Sequence, residues 1–240
     1  MSIETAQTLN AAWAGASPAE AISLALDYFG AERIAFSTSL GAEDQVITDI
    51  LWRNNLPAPV FTLDTGRLPE ETYRLLEETR KRYGLAIEVL FPEAETVQKM
   101  QSEHGPNLFY ESIENRRLCC RARKVEPLSR KLSTLSAWIC GLRRSQSVTR
   151  KQLELVEWDE TFGLYKLNPL VLASEAWIWE YIRDNDVPYN ELHDKGYPSI
   201  GCGPCTRAIE PGEDIRAGRW WWEQPELKEC GLHSAHAHQR

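Results

Sequence analysis

Apolar and polar positions alternate between two periods along the first half of the chain. "SPAEAISLALDYFG", residues 17–30, sets Ile22, Leu26 and Phe29 on one face of a 3.6-residue repeat, which predicts a helix. Ser17 reads as its N-cap, Pro18 as its first helical residue and Glu20 as the second half of a capping box, with Gly30 as its stop. "RIAFS" reads as a short buried strand, and "AEDQVITDILWR" as the next helix, with Val46, Ile47, Ile50 and Leu51 inward. "PVFTLD", "AIEVLF" and "SAWIC" read as further strands, with the helix "PEETYRLLEETRKRYG" after the first of them. Strands alternating with helices predict an α/β fold: a mostly parallel sheet with helices on both faces.

From Trp158 the pattern loosens. A helix is expected within "NPLVLASEAWIWEYIRDNDVP", capped by Ser174. "YNELHDKGYPSIGCGPC" is loop-like in its Gly and Pro content. The last stretch has no clean period and reads as an extended, partly mobile tail, although the three tryptophans of "GRWWWE" must bury some of their surface by docking.

Composition narrows the class. The 240 residues are 42% hydrophobic and 26% charged, which suits a globular chain with a sizeable core. No apolar run approaches the ~20 residues of a membrane span, and the N-terminus lacks the basic and apolar regions of a secretory signal. A cytoplasmic location with no membrane partner is the expectation. The net charge of −8 disfavours nucleic acid as a partner. Arginines nevertheless gather at 116–123, 143–150 and 207–219, and each gathering suits either a small anion or a solvated face.

Ligands of open parallel sheets bind at the carboxyl ends of strands, and three loops there carry suitable chemistry. "STSLGAED" offers Ser37, Ser39 and Gly41 at a helix start, where backbone N–H groups favour an anion; the plain alternative is a Ser/Gly turn. The loop is not a Walker A motif. "LDTGRLPEETY" ends a strand with Leu63 and Asp64, whose carboxylate suits a ribose hydroxyl or a helix cap. "GLRRSQSVTR" frees the backbone at Gly141 and supplies Arg143, Arg144 and Arg150. Together the three loops suggest a nucleotide whose phosphates are clamped by arginine.

The six cysteines divide by context. Cys119–Cys120 and the "CGPC" of Cys202 and Cys205 form two pairs, suited to zinc or to an iron–sulfur cluster. Adjacent cysteines point apart in ordinary peptide, which suits the larger cubane better. The alternative is two core thiols and a thioredoxin-type redox pair. Cys140 ends an apolar strand and reads as a core thiol. Cys230, in "KECGLH" near the C-terminus, reads either as an inconsequential surface thiol or as a nucleophile.

"STSLGAED", "FTLDTGRLPEETY", "CCRARKVEPL", "GLRRSQSVTR", "YKLNPL", "VPYNELHDKGYPSIGCGPCTR", "GRWWWE" and "KECGLH" together resemble the assimilatory sulfonucleotide reductases, from about residue 20 to about residue 233. "CC" plus "CxxC" resembles the branch that carries a [4Fe–4S] cluster and reduces adenosine 5′-phosphosulfate (APS); the branch that reduces the 3′-phosphorylated substrate (PAPS) typically lacks those cysteines. The resemblance implies an adenine nucleotide alpha hydrolase-like fold, with one α/β domain over residues 1–212 and a tail, 213–240, carrying the catalytic thiol. It implies one cluster per chain on Cys119, Cys120, Cys202 and Cys205. Cys230 would be the nucleophile, with His233 and Lys124 in the catalytic set and Lys124 between cluster and substrate. Substrate contacts would come from Ser37, Ser39, Gly41, Leu63, Asp64, Gly141, Arg143, Arg150, Arg216 and Arg219. The implied chemistry is reduction of APS to sulfite and AMP through an S-sulfocysteine, with reduced thioredoxin or a glutaredoxin-like thiol donor as partner, in a homo-oligomer. The alternative within the family is PAPS reduction by the same mechanism. Outside it stand an ATP-pyrophosphatase-type enzyme, whose "SGGxDS" loop is absent, and a non-catalytic redox or metal sensor.

Overall fold

The computed structural model describes residues 2–146, 150 and 152–224. These fall into two compact units: the described parts of Met1–Thr62, Glu70–Glu88 and Thr134–Glu191, and those of Leu63–Pro69, Val89–Ser133 and Leu192–Arg240.

The first unit opens with helices α1 (Ile3–Ala12) and α2 (Pro18–Phe29). Ser17 and Glu20 form the expected reciprocal capping box, and Gly30 ends α2 at φ +85°. Strand β1 (Ile34–Thr38), helix α3 (Ala42–Arg53), strand β2 (Val60–Leu63), helix α4 (Glu70–Tyr83) and strand β3 (Ile87–Leu90) follow as the periodicity predicts. In the second unit the chain forms α5 (Ala94–His104), α6 (Ile113–Cys120), a π-turn over Arg121–Val125 and α7 (Glu126–Leu132). It returns as β4 (Ala137–Ile139), β5 (Val156–Asp159), β6 (Leu164–Leu167) and α8 (Glu175–Asp184), whose N-cap is Ser174 as expected.

The six strands run in the order β3-β2-β1-β4-β6-β5. β1 pairs in parallel with β2 and β4, and β4 with β6; β5 pairs antiparallel with β6. The mostly parallel α/β fold of the sequence reading is therefore present. The β5–β6 hairpin was not expected from the sequence. Its strand signal is broken by Lys166, a charged residue that is nonetheless buried, with its Nζ 3.0 Å from Asp159 of β5. The Asp159 carboxylate also accepts the N–H groups of Thr161 and Phe162 in the connecting turn.

The core of the first unit packs Ile22, Phe36, Val46, Ile47, Ile139 and Ile178 against one another, each worth roughly 1.5–3 kcal/mol when fully buried. Among the polar groups buried within this framework, one carboxylate links several helices. Asp49 of α3, fully buried, accepts hydrogen bonds from Tyr83 of α4 (3.1 Å), Tyr181 of α8 (2.8 Å) and the Arg53 Nε (2.5 Å). It ties three helices through one carboxylate. Replacing Asp49 with Ala leaves one buried and one half-buried hydroxyl without their acceptor, and we expect urea denaturation to show a loss of about 3 kcal/mol, with a smaller loss for Asp49→Asn.

Candidate active site and thiol pocket

In the first unit the loops after β1 and β4 meet around Asp44. Gly41 is the N-cap of α3, and no side chain caps the helix there. Leu40, buried, is held at φ +60°, a conformation costly for a branched side chain. The Ser39 N–H and Oγ both donate to Asp44 Oδ2, at 2.6 and 2.7 Å. Asp44 Oδ1 lies so close to Gly141 that a Cβ there would meet it at 2.2 Å, so only glycine fits. Burial raises the Asp44 carboxyl, against the Ser39 hydrogen bonds and with the Glu43 charge, to about 6. The neighbouring Glu43 pairs with Arg143, whose Nε donates at 2.8 Å. Arg150, half-buried, donates to Gln146. Ser37 is half-buried and Ser39 exposed. Thus Ser39, Gly41, Gly141, Arg143 and Arg150, named from the sequence, occupy the segments after β1 and β4, Ser37 lies near the end of β1, and Arg143 is already engaged by a carboxylate.

In the second unit the four cysteines of the two pairs share one buried cluster with Met100, Leu108, Phe109, Ala122 and Trp220. Cys119 and Cys120 end α6 where the helix widens into the π-turn. In a regular helix adjacent side chains diverge by about 100°, and π-turns locally re-aim them. Cys202 and Cys205 bracket a tight 3-10 turn in which the Cys205 N–H donates to the Cys202 carbonyl at 2.9 Å. The Gly203 N–H donates to the Arg67 carbonyl at 2.8 Å, fixing this turn to the loop that follows β2. In that loop Asp64 accepts the Gly66 N–H at 2.8 Å, so it closes a local turn. The Thr65 hydroxyl lies 3.3 Å from the Cys202 sulfur.

Cations surround these thiols. Arg123, buried, donates to the Thr65 carbonyl at 2.6 Å and to Cys119. Lys124, half-buried, donates to Cys202. Arg116 donates to Cys120. Burial alone would raise every thiol. At Cys202 it is outweighed by Lys124, the Thr65 hydroxyl and Arg219, and the thiol falls below its ordinary value. At Cys119 burial prevails over Arg123 and Lys124. Cys205 is pushed up to about 12 by burial and by the neighbouring Cys202, against Lys124. Cys140 lies elsewhere, buried in the first unit, and burial raises it well above the ordinary range, as befits a core thiol.

The start of the tail docks on this pocket. Trp220 is buried, its N–H donates to the Cys205 carbonyl at 3.1 Å, and Arg219 bridges to Thr206. The Arg219 guanidinium donates to Ser199 Oγ and the Ile200 carbonyl, both at 3.2 Å, and lies against Gly201. The Arg216 N–H donates to Asp214. The docking expected of the tryptophans is present. Cys230 and His233 lie outside the described residues. The sequence reading missed Asp44, Thr65, Arg123 and the Arg116–Glu223 pair. A Thr two residues before Arg67 and a second cation beside Lys124 were visible in the motifs, but only the fold brings them to sulfur.

Among the described residues no three His, Cys, Asp or Glu side chains close on a point that would hold a single metal ion. The four thiols share one pocket, a donor set of the kind that an iron–sulfur group or structural zinc takes. The cations and the Thr65 hydroxyl favour the thiolate at Cys202, whereas burial keeps Cys119 and Cys205 toward the neutral thiol.

A family model described as the phosphoadenosine phosphosulfate reductase domain matches residues 33–208, and the chain belongs to that family. Its relatives there include the adenosine 5′-phosphosulfate reductase of Allochromatium vinosum, 56% identical over 202 residues, 84% of this chain and 79% of that protein. The protein of the same name from Agrobacterium fabrum is 46% identical over 232 residues, 97% of this chain and 88% of its own. The crystal structure of phosphoadenylyl-sulfate (PAPS) reductase from Candida auris superposes with a TM-score of 0.74 at 30% identity, over 87% of this chain and 98% of that one. FMN adenylyltransferase of Candida glabrata, with a TM-score of 0.54 at 17% identity over 95% of this chain and 85% of that one, shares the fold alone.

The buried Asp44 gives a signed pH dependence. Its carboxyl rises from 3.8 to about 6 on folding, so the folded state holds the proton more tightly than the unfolded one. Stability contributed by this group is full below the unfolded value, falls as pH climbs through about 6, and stays lost above it. At about 1.4 kcal/mol per pH unit the span is about 3 kcal/mol. Asp44→Asn carries no such cost. Its stability relative to the unaltered chain should improve by that order between about pH 4 and about pH 8, read by urea denaturation.

Proposed function

We propose that this chain reduces APS to sulfite and AMP in sulfate assimilation, taking its electrons from a reduced thioredoxin or glutaredoxin-like dithiol. The observation that carries the reading is the gathering of Cys119, Cys120, Cys202 and Cys205 in one cation-lined pocket, in a chain 56% identical to a protein named for that reaction. A [4Fe–4S] cluster, one per chain, fits those four thiols, and when bound it supplies ordered charge at the sulfurs that Lys124 contacts rather than the electrons of the reaction.

The chemistry proceeds in two steps. The Cys230 thiolate attacks the sulfur of the sulfate group; the S–O bond to phosphate breaks and AMP leaves with the bonding pair. Lys124, Arg150, Arg216 and Arg219, with the hydroxyls of Ser37 and Ser39, stabilise the charge that builds on the leaving phosphate. Gly41, Leu63, Asp64 and Gly141 receive the nucleoside, and Arg143 holds the first loop through Glu43. His233 lies three residues from Cys230 and is assigned to the same step. The donor thiolate then attacks the Cys230 sulfur and expels sulfite, and its second thiol resolves the mixed disulfide. The dithiol is oxidised by two electrons and the sulfate sulfur is reduced by two. The same reading places the enzyme in the cytoplasm as a homo-oligomer; among the described residues no helix is long and apolar enough to cross a membrane.

PAPS reduction is the second reading, favoured by the likeness to the Candida auris enzyme at 30% identity. Steady-state kinetics on both sulfonucleotides separates the two: the proposal expects kcat/KM for APS to exceed that for PAPS, and the reverse order would overturn it. Lys124→Ala should retain the visible absorption of a bound cluster and lose about 100-fold in kcat/KM, the order of one transition-state charge contact. Near-normal turnover would remove Lys124 from the mechanism.

A further inference from the structure

One deeply buried ion pair among the described residues of the second unit has no part in the chemistry above. Arg116, fully buried, directs its Nε and Nη2 at the two carboxylate oxygens of Glu223, at 2.8 and 2.9 Å. The two parallel bonds make a fork that fixes orientation as well as distance. Arg116 belongs to α6, one helical turn before Cys120, and donates to that sulfur as well. Glu223 closes the last described turn, where its N–H donates to the Trp220 carbonyl at 2.8 Å. Between them lies Trp220, with the guanidinium carbons of Arg116 and Arg219 at 4.8 and 4.9 Å from its ring centroid. The turn is thereby fastened to both cysteine pairs: to Cys120 through Arg116, and to Cys205 through the backbone bond from Trp220.

Two aromatic side chains would pack this turn without a buried charge, and ion pairs are costly to bury unless their geometry is needed. The chain position supplies the need. Glu223 precedes Cys230 by seven residues, so a fully extended segment carries the thiol no further than about 25 Å from the Glu223 Cα. Fixing the start of such a tether sets the effective concentration of whatever it carries.

We propose that Arg116 and Glu223 are positioning residues that anchor the start of the segment delivering Cys230, with the helix that bears Cys119 and Cys120 as its mount. The proposal rests on the reading of Cys230 as the nucleophile. It adds that the residues around the thiol pocket govern that nucleophile's delivery as well as the charge at the pocket.

The test uses the full chain, purified anaerobically, with Glu223→Ala and, as the shape-preserving variant, Glu223→Gln. Chymotryptic cleavage after Trp220, followed by mass analysis of the fragment 221–240, reads the anchor directly. Cleavage should quicken at least tenfold in Glu223→Ala and about threefold in Glu223→Gln. With APS as substrate, kcat should fall in the same order while KM changes less than twofold, and the visible absorption of a cluster bound at the four thiols should stay unaltered. Should Glu223→Ala fail to fold, Glu223→Gln decides alone. Unchanged kcat in the folded variants overturns the proposal, whether or not cleavage quickens, and unchanged cleavage overturns the anchor. If the unaltered chain itself forms no adduct on Cys230 with APS, the functional reading fails, and the cleavage rates still decide whether the pair anchors the turn.

Discussion

Four thiols gathered in one place meet fixed cations, and the balance between burial and charge organises the second unit. Burial by itself drives each sulfur toward the neutral thiol. Lys124 and Arg219 oppose it at Cys202, Arg123 and Lys124 oppose it at Cys119, and the Thr65 hydroxyl adds a bond from the loop after β2. The balance differs sulfur by sulfur: Cys202 is eased toward the thiolate while Cys205 is pushed up to about 12. Two of the cations are themselves held by a second partner. Arg123 is tied to the Thr65 carbonyl and Arg116 to Glu223.

The first unit answers a different need. Its parallel strands bring the loops after β1 and β4 side by side, and a single buried carboxylate, Asp44, orders both. Asp44 takes the Ser39 N–H and hydroxyl on one oxygen and presses its other against Gly141. Glu43 holds Arg143 in the same neighbourhood. Order in these loops before a ligand arrives reduces what binding must spend on fixing them. Asp49, one helical turn further along α3, performs the corresponding task for the helices.

Much of this was legible in the sequence because local signals and tertiary structure agree. The capping box at Ser17 and Glu20, the strands "RIAFS" and "SAWIC", and the cap at Ser174 each follow from side-chain chemistry within a few residues. The β5–β6 hairpin escaped because Lys166 is made tolerable only by Asp159, a partner that pairing of the two strands supplies. The pairing of "CC" with "CGPC" was legible as residue types, yet the π-turn that follows the tandem cysteines has no local signature in "CCRARKV". Arg143 read as a phosphate ligand from composition; its carboxylate partner lies 100 residues away in the chain. Contacts of that range are decided by topology, which periodicity reports only in outline.

The central claim is that this chain moves a sulfur group onto one of its own thiols. Mass spectrometry of the anaerobically purified protein after incubation with APS tests it most directly. The account predicts one sulfite-mass adduct, confined to the peptide containing Cys230, that a dithiol removes with release of sulfite. A chain that forms sulfite with no adduct at Cys230, or that turns over undiminished as Cys230→Ser, would contradict it.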